Sequence, residues 1–431
     1  MTGLPLGWVE AQLGDLAEIV RGVTDKKQQA RSTQAMGFVP VLRATNIGEE
    51  LELNNDLVWV PTSVVNKSQY LRPGDIVIAS SSGSSSVVGK SARLTRPWTG
   101  AFGAFCAVAR PRPEVDASYL AHFVGSPSVR RSWSQLAAGT SINNLKRDHI
   151  TSIRVPLPPL AEQQRIVAAV EEQLSRLDAA GRGLARAARQ LDRLRHAILL
   201  RAIDGDWPTL PFGSLVTALR NGVFASRPSV EPPGTPILRI SAVRPMTLAV
   251  DDIRYAAISP SDAAGYFIED GDLLFTRYSG NPAYVGACAR VRSLPRPTLH
   301  PDKLIRVAVD RDRVDPGFVE IALAVGPGRA AIEARLKTTA GQVGIAGGRL
   351  RTVPIPLPPL DVQRRIVDEV EAQLSLLSSL ERQVVLVRQR EPRLRQAILR
   401  EAFAGRLVPQ GSNPGIGCRH GNLDKNCEIN M

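Results

Sequence analysis

From residue 160 onward, apolar or small side chains return in alternating steps of three and four: Val167, Val170, Leu174, Leu177, Gly181, Leu184, Ala188 and Leu191. That period belongs to the seam of a coiled coil rather than to the broader stripe of an ordinary amphipathic helix. It predicts a helix from about 160 to 203, roughly 65 Å long at ~1.5 Å per residue. Pro158-Pro159 suit its start. A second seam follows at Val367, Val370, Leu374, Leu377, Val384, Leu394 and Ile398. It is less regular: Glu381, Arg388 and Glu391 fall on seam positions, with Leu380 and Val387 beside them, and Pro392 predicts a kink or interruption. In the first helix Gly181 and Gly183 weaken the middle, so the pair is expected to splay or bend there.

The stretches ahead of each helix follow a different rule. Short β-type runs (VPVLRATNI, DIVIASS and GAFCAVARP, then TPILRISAV and DLLFTRY) alternate with turn signals. Pro73-Gly74-Asp75 and Asp270-Gly271-Asp272 mark turns that lead into buried strands. Each stretch is expected to form a mixed α/β or α+β head.

These pieces are two copies of one unit. VPLPPLAEQQRIV at 155–167 returns as IPLPPLDVQRRIV at 355–367, and Arg195-His196-Ala197-Ile198-Leu199 returns as Arg395-Gln396-Ala397-Ile398-Leu399. Upstream, Trp8 faces Trp207, Pro40-Val41-Leu42-Arg43 faces Pro236-Ile237-Leu238-Arg239, and the Gly-Asp turns at 74–75 and 271–272 face each other. A proline-rich ligand for a partner domain would not carry matched sequence so far beyond its prolines. The expected organisation is a head at 1–158, a helical spacer at 159–205, a second head at 206–358, a second spacer at 359–407 and a disordered tail at 408–431. Each apolar seam finds its simplest partner in the other, which predicts antiparallel helices between two heads, a pseudo-twofold dumbbell.

Composition narrows the function. The chain has 431 residues, 43% of them hydrophobic, enough for two ordinary cores. No apolar run is long enough to span a membrane and the start lacks a signal-peptide pattern, so a cytoplasmic protein is expected. The four cysteines have no CxxC spacing, and Cys418, His420 and Cys427 lack a fourth zinc ligand, so no metal site is expected. Lys and Arg number 54 against 41 Asp and Glu, a net charge of +13 that suits a polyanion such as DNA or RNA.

The repeated PLPPLxEQxxIV-like joints at Pro156–Val167 and Pro356–Val367, the GDIVIA and GDLLFT segments at 74–79 and 271–276, and Gly139-Thr140 with Asn143-Asn144-Leu145 resemble the specificity subunit of type I restriction–modification enzymes. The likeness spans about residues 5–407. It departs at Gly341-Gln342, in place of Gly-Thr, and at Val362-Gln363, in place of Glu-Gln. The resemblance implies a DNA-binding subunit with no catalytic residue or cofactor of its own. Each head would read half of a split, asymmetric duplex target, and the helices would fix the gap and dock two modification subunits. S-adenosylmethionine would sit on those methyltransferases, with ATP and Mg²⁺ on separate motor–nuclease restriction subunits. A recognition subunit of a type IIB-like system is the alternative within the same class.

One stretch points to an enzyme instead. Asn281-Pro282-Ala283-Tyr284 approaches the Asn-Pro-Pro-Tyr loop with which adenine methyltransferases hold a flipped base. No Gly-rich cofactor turn accompanies it, and Ser84-Ser85-Ser86-Val87 stands opposite it in the first copy, so the stretch reads better as a substrate-facing loop. The five histidines are scattered singly, and His196 is expected to be a surface or packing residue.

Arginine can bond guanine bidentately, Asn or Gln can read adenine, and glycine lets the backbone approach phosphate. On that chemistry the candidates in the first head are Arg43, Thr45 and Asn46; Ser80, Ser81, Ser82, Gly83 and Ser84 with Lys90; and Thr140, Asn143, Asn144 and Lys146. In the second head they are Arg239 and Ser241; Arg277, Tyr278 and Asn281; and Lys337, Thr338, Thr339 and Gln342.

Overall fold

The two Gly-Asp turns fix the centre of each head. A computed structural model of the chain describes residues 4–24, 30–84, 86–137, 143–339 and 342–409. Gly74 and Gly271 sit at φ +94° and +86°, a region that glycine enters without steric cost. Each passes the chain to a buried aspartate. Asp75 accepts a hydrogen bond from Arg72 N at 2.8 Å and a bidentate pair from Arg110, both bonds 2.8 Å. Asp272 accepts from Glu269 N at 2.6 Å and from Arg306 Nε at 2.5 Å. Burial raises the Asp272 carboxyl above its usual range, against the pull of Arg306.

The strands that follow, Ile76–Ala79 and Leu273–Thr276, are buried at every position. Their continuous apolar sequence has a simple cause. Ile76 and Ile78 face one core while Val77 and Ala79 face another, and Leu273 and Phe275 are divided from Leu274 in the same way. Each strand lies inside a four-stranded antiparallel sheet. In the first head the order is Ala17–Arg21, Cys106–Pro111, Ile76–Ala79, Ser91–Arg93; in the second it is Val216–Asn221, Leu304–Val309, Leu273–Thr276, Cys288–Arg290. Two helices follow the sheet in each head, Ala117–Val124 with Pro127–Leu136 and Pro316–Ala324 with Gly326–Glu333. The helices are segregated from antiparallel strands, so the heads are α+β.

The chain divides into two compact units, one running to Gly183 and resuming at Val387, the other Leu184–Leu386. Each unit therefore holds a head and one end of each long helix, Leu160–Ala202 and Leu360–Phe403.

The repeated proline stretch is a joint between head and helix, made by a buried glutamine. Gln163 Oε1 accepts from the backbone N–H of Asp116 at 2.9 Å, and its Nε2 donates to Pro158 O at 2.9 Å. Gln363 does the same to Asp315 N and Pro358 O, both at 2.8 Å. Those aspartates cap the first head helix, Asp116 accepting from Ser118 N and Tyr119 N and Asp315 from Gly317 N and Phe318 N. One side chain thus ties the entry of the long helix to the N-terminus of a head helix.

The seams are apolar where they meet the heads. In the first unit Ile166 and Val170 share a core with Leu399 and Ala402, so the start of one long helix packs on the end of the other; Tyr119 and Phe123 meet Phe403 edge-on at 5.5 and 5.1 Å. In the second unit Val367 and Val370 pack with Leu199 and Phe318. Both pairs run antiparallel.

Away from the heads the seam changes character. Leu394, expected on the seam, is 51% exposed, because Arg395 takes the inward place and pairs with Asp178. Leu194 is exposed likewise and Arg195 turns inward. Val167 is only partly buried, and Ile166 beside it is fully so. Pro392 does not interrupt the second helix, which continues to Phe403; it sits on the exposed side, where the carbonyl it leaves unpaired can be solvated. Among the described residues no helix is long and apolar enough to cross a membrane.

Candidate nucleic-acid interface

The strand end at Thr276, the short strand Tyr278–Ser279 and the turn at Ile240 enclose a cavity of about 220 Å³ in the second head. Ser241, Arg244, Tyr278, Tyr284, Lys303 and Gln342 reach it. Thr276 Oγ1 lines it, fully buried and with no hydrogen-bond partner. Lys303 also borders a neighbouring cleft of about 340 Å³ with Arg239 and Arg254. Cations, aromatic faces, a hydroxyl and an amide on adjoining clefts are the groups that grip phosphate and read base edges. The aromatic rings are already engaged: the Arg244 guanidinium lies 4.5 Å over Tyr284 and that of Arg277 4.8 Å over Tyr278.

Both heads carry one clamp. Arg43 Nη1 donates to Asp56 at 3.2 Å and Thr45 Oγ1 donates to the other oxygen at 2.8 Å. Arg239 Nη1 donates to Asp252 at 3.2 Å and Ser241 Oγ to the other oxygen of Asp252. Arg43 and Asp56 are more than half exposed, so this is a presented group rather than a core ion pair. Asp56 and Asp252 were not among the sequence candidates. The signal was available, since each lies 13 residues after its arginine in both copies.

The serine-rich segment and NPAY occupy the same turn. Gly89 N bonds Ala79 O as Gly286 N bonds Thr276 O, and Val87 N bonds Ser84 O as Tyr284 N bonds Asn281 O. The Asn281 carboxamide is used inside this turn, accepting from Ala283 N at 3.0 Å, and Arg244 covers the tyrosine.

Several candidates meet. Ser81–Ser82 pairs antiparallel with Asn143–Asn144, and Tyr278–Ser279 pairs with Gln342–Gly344, itself paired with Lys337–Thr339. Arg43, Thr45, Gly83, Ser84, Asn144, Lys146, Lys337, Thr338 and Gln342 are exposed. Two candidates turn inward instead. Asn46 is 1% exposed, its Oδ1 accepting from Arg43 N and its Nδ2 donating to Asn55 O, both at 2.8 Å. Ser81 is buried because its short strand lies against the pairing asparagines. Lys90 lines a different cleft, with Arg93, His122 and Arg395. Thr140 and the side chain of Thr339 lie outside the described residues, as do Cys418, His420 and Cys427. Among the described residues no three metal-ligating side chains converge, and Cys106 and Cys288 are buried thiols, the former pushed up to about 12 by desolvation.

A duplicated α+β head, each copy fused to long-helix ends and carrying the same Arg–hydroxyl–Asp clamp, defines a tandem recognition protein. Residues 5–180 match the family model for the type I restriction modification DNA specificity domain. The chain is 39% identical over 430 residues to the type I restriction enzyme EcoKI specificity subunit of Escherichia coli K12, covering 96% of this chain and 92% of that one. It is 33% identical over 428 residues, with the same coverage, to the StySPI specificity subunit of Salmonella potsdam. In fold it is similar to a chain from a solved type I R-M system (TM-score 0.73, 21% identity, covering 94% of this chain and all of that one) and to the HsdS subunit of Thermoanaerobacter tengcongensis (TM-score 0.55, 21% identity, 94% and 98%). The chain belongs to the family of type I restriction–modification specificity subunits.

Proposed function

We propose that the chain is the DNA sequence-recognition subunit of a type I restriction–modification complex, working in the cytoplasm and carrying no chemistry of its own. Each head binds one half of a bipartite, asymmetric duplex target. The long helices set the unread gap and dock two modification subunits. S-adenosylmethionine is held by those partners, and ATP with Mg²⁺ by the restriction subunits. The observation that carries this reading is the pair of heads built on one frame, keeping the same Arg–hydroxyl–Asp clamp while other surface groups differ between them. Two unlike readers on a repeated scaffold suit two unlike half-sites. A net charge of +13 supports a polyanionic target.

The test is methyl transfer to a plasmid by the purified chain, by modification subunits alone and by the mixture. Only the mixture is expected to modify adenine, within a split motif. Transfer by the chain alone, or an uninterrupted motif, overturns the proposal.

A further inference from the structure

The two heads can be superposed residue by residue through their hydrogen bonds, and one position then stands out. Ser80 N and Arg277 N bond the carbonyls of Phe105 and Lys303 at 2.9 and 2.8 Å. One residue later, Cys106 N bonds Gly103 O at 2.8 Å and Leu304 N bonds Pro301 O at 2.9 Å. Phe105 and Lys303 therefore occupy one place on one backbone frame, at the foot of the turn that holds the serines or NPAY. The frame is the same and the side chains are opposites.

Neither side chain is buried in its head. Phe105 is 63% exposed, a large apolar group standing in water beside polar serines. Lys303 is exposed and makes no ion pair within the limits of a salt bridge among the described residues, while it lines both clefts of the second head. The Arg–hydroxyl–Asp clamp behaves oppositely, being kept in both heads. Groups shared by two readers of different sequences suit the phosphate backbone, which is the same everywhere; groups that differ on a shared frame suit the bases. Other differing positions are less free. Tyr278 and Tyr284 are each stacked under an arginine of their own head.

We propose that the position held by Phe105 in the first head and Lys303 in the second is a specificity-determining contact, reading thymine in one half-site and guanine in the other. The lysine ammonium matches the O6 and N7 acceptors of guanine, and an apolar side chain matches the thymine methyl group. Arg43 and Arg239, oriented by Asp56 and Asp252, hold the backbone at that register. This rests on the DNA-recognition reading above and adds the residue that separates one half-site from the other.

The experiment selects duplexes from a pool with 30 randomised base pairs, using the full chain assembled with its modification subunits. Lys303→Phe is expected to exchange a required G·C pair for T·A in one half-site, a preference shift of about 10- to 100-fold, with the other half unchanged. Phe105→Lys is expected to do the reverse in the other half. Lys303→Met and Phe105→Leu, milder changes at exposed sites, are expected to relax the same base pairs. Asp252→Asn is expected to weaken binding without altering the selected sequence. Unchanged preferences in all four reader variants, with a wild-type complex that still selects a bipartite site, overturn this inference and leave DNA recognition standing. A wild-type complex that selects no sequence overturns both.

Discussion

Arg195 Nη2 lies 2.8 and 2.9 Å from the two carboxylate oxygens of Glu381, joining the two long helices within the second unit at a place where the seam ought to be apolar. The same nitrogen is 3.4 Å from Ser378 Oγ. In the first unit Arg395, its counterpart in the repeat, pairs with Asp178, the counterpart of Ser378. An arginine thus replaces a core leucine at matched places, and Leu194 and Leu394 are turned to solvent.

A half-buried pair of this kind fixes register more than it adds stability. Arg195→Ala and Glu381→Ala are each expected to lower stability by about 1 kcal/mol, with a coupling energy of about 0.5–1 kcal/mol in the double-mutant cycle. Replacing both by leucine is expected to match or exceed the wild type in denaturant unfolding. A double-leucine chain less stable than either alanine variant would mean that the pair has no apolar substitute.

The glutamine joints are expected to matter more. Gln363 is fully buried and satisfies Asp315 N and Pro358 O at once. Gln363→Ala leaves a buried donor and a buried acceptor unpaired, a cost on the order of 2–4 kcal/mol. The expected signs are a lower urea midpoint and faster hydrogen exchange at the Asp315 amide. Retained protection at that amide would show that another group caps it.

The sequence made the large features legible because duplication acts as its own control. Matching Trp8 with Trp207, or one proline stretch with the other, needs only order and spacing. The helix ends were readable because Val170 and Val370 obey the seam rule against a packed head. The middle was not, since a seam rule cannot foresee that Arg395 will find Asp178 more than 200 residues away. Asn46 looked like a base reader because its type is right, yet local backbone groups claim both ends of its side chain. Phe105 was passed over for the converse reason: an apolar residue inside a β-type run, here GAFCAVARP, reads as core until exposure is known.

The one break in the joint's symmetry is testable. Trp8 Nε1 donates to Glu162 at 3.1 Å, and both are buried. In the second unit Val362 replaces that glutamate, and Trp207 Nε1 is buried with no partner. The Trp207 indole lies against Gly205 instead, so Val362→Glu is expected to change stability by less than about 0.5 kcal/mol. Glu162→Val is expected to cost about 1–3 kcal/mol by creating the same orphan in the first unit. Thermal unfolding is expected to fall for Glu162→Val alone; a gain in stability for Val362→Glu would mean that Trp207 Nε1 reaches position 362 after all.

The second head should also be the acid-sensitive one. His300 is fully buried; its backbone N–H and ring Nδ1 meet Tyr266 O at 3.2 and 2.7 Å, and its Nε2 has no partner. Burial pushes its pKa down to about 4, with Arg306 and Arg220 adding to the depression and the hydrogen bonds opposing it. The unfolded histidine titrates near 6.5, so the unfolded chain takes up a proton before the folded one does. Stability is therefore complete above about pH 6.5 and is lost as pH falls toward 4, by about 2–3 kcal/mol between pH 7 and pH 4.5. Phe102 holds the equivalent place in the first head, beside Gly103 where His300 precedes Pro301, and is equally buried. His300→Phe therefore removes the titrating group while filling the space with a side chain that this frame already accepts. Denaturant unfolding at pH 7 and pH 4.5 is expected to show the acid loss shrinking by about that 2–3 kcal/mol in the variant, since all other carboxylates and histidines are common to both proteins. An undiminished acid loss in His300→Phe would place the sensitivity elsewhere.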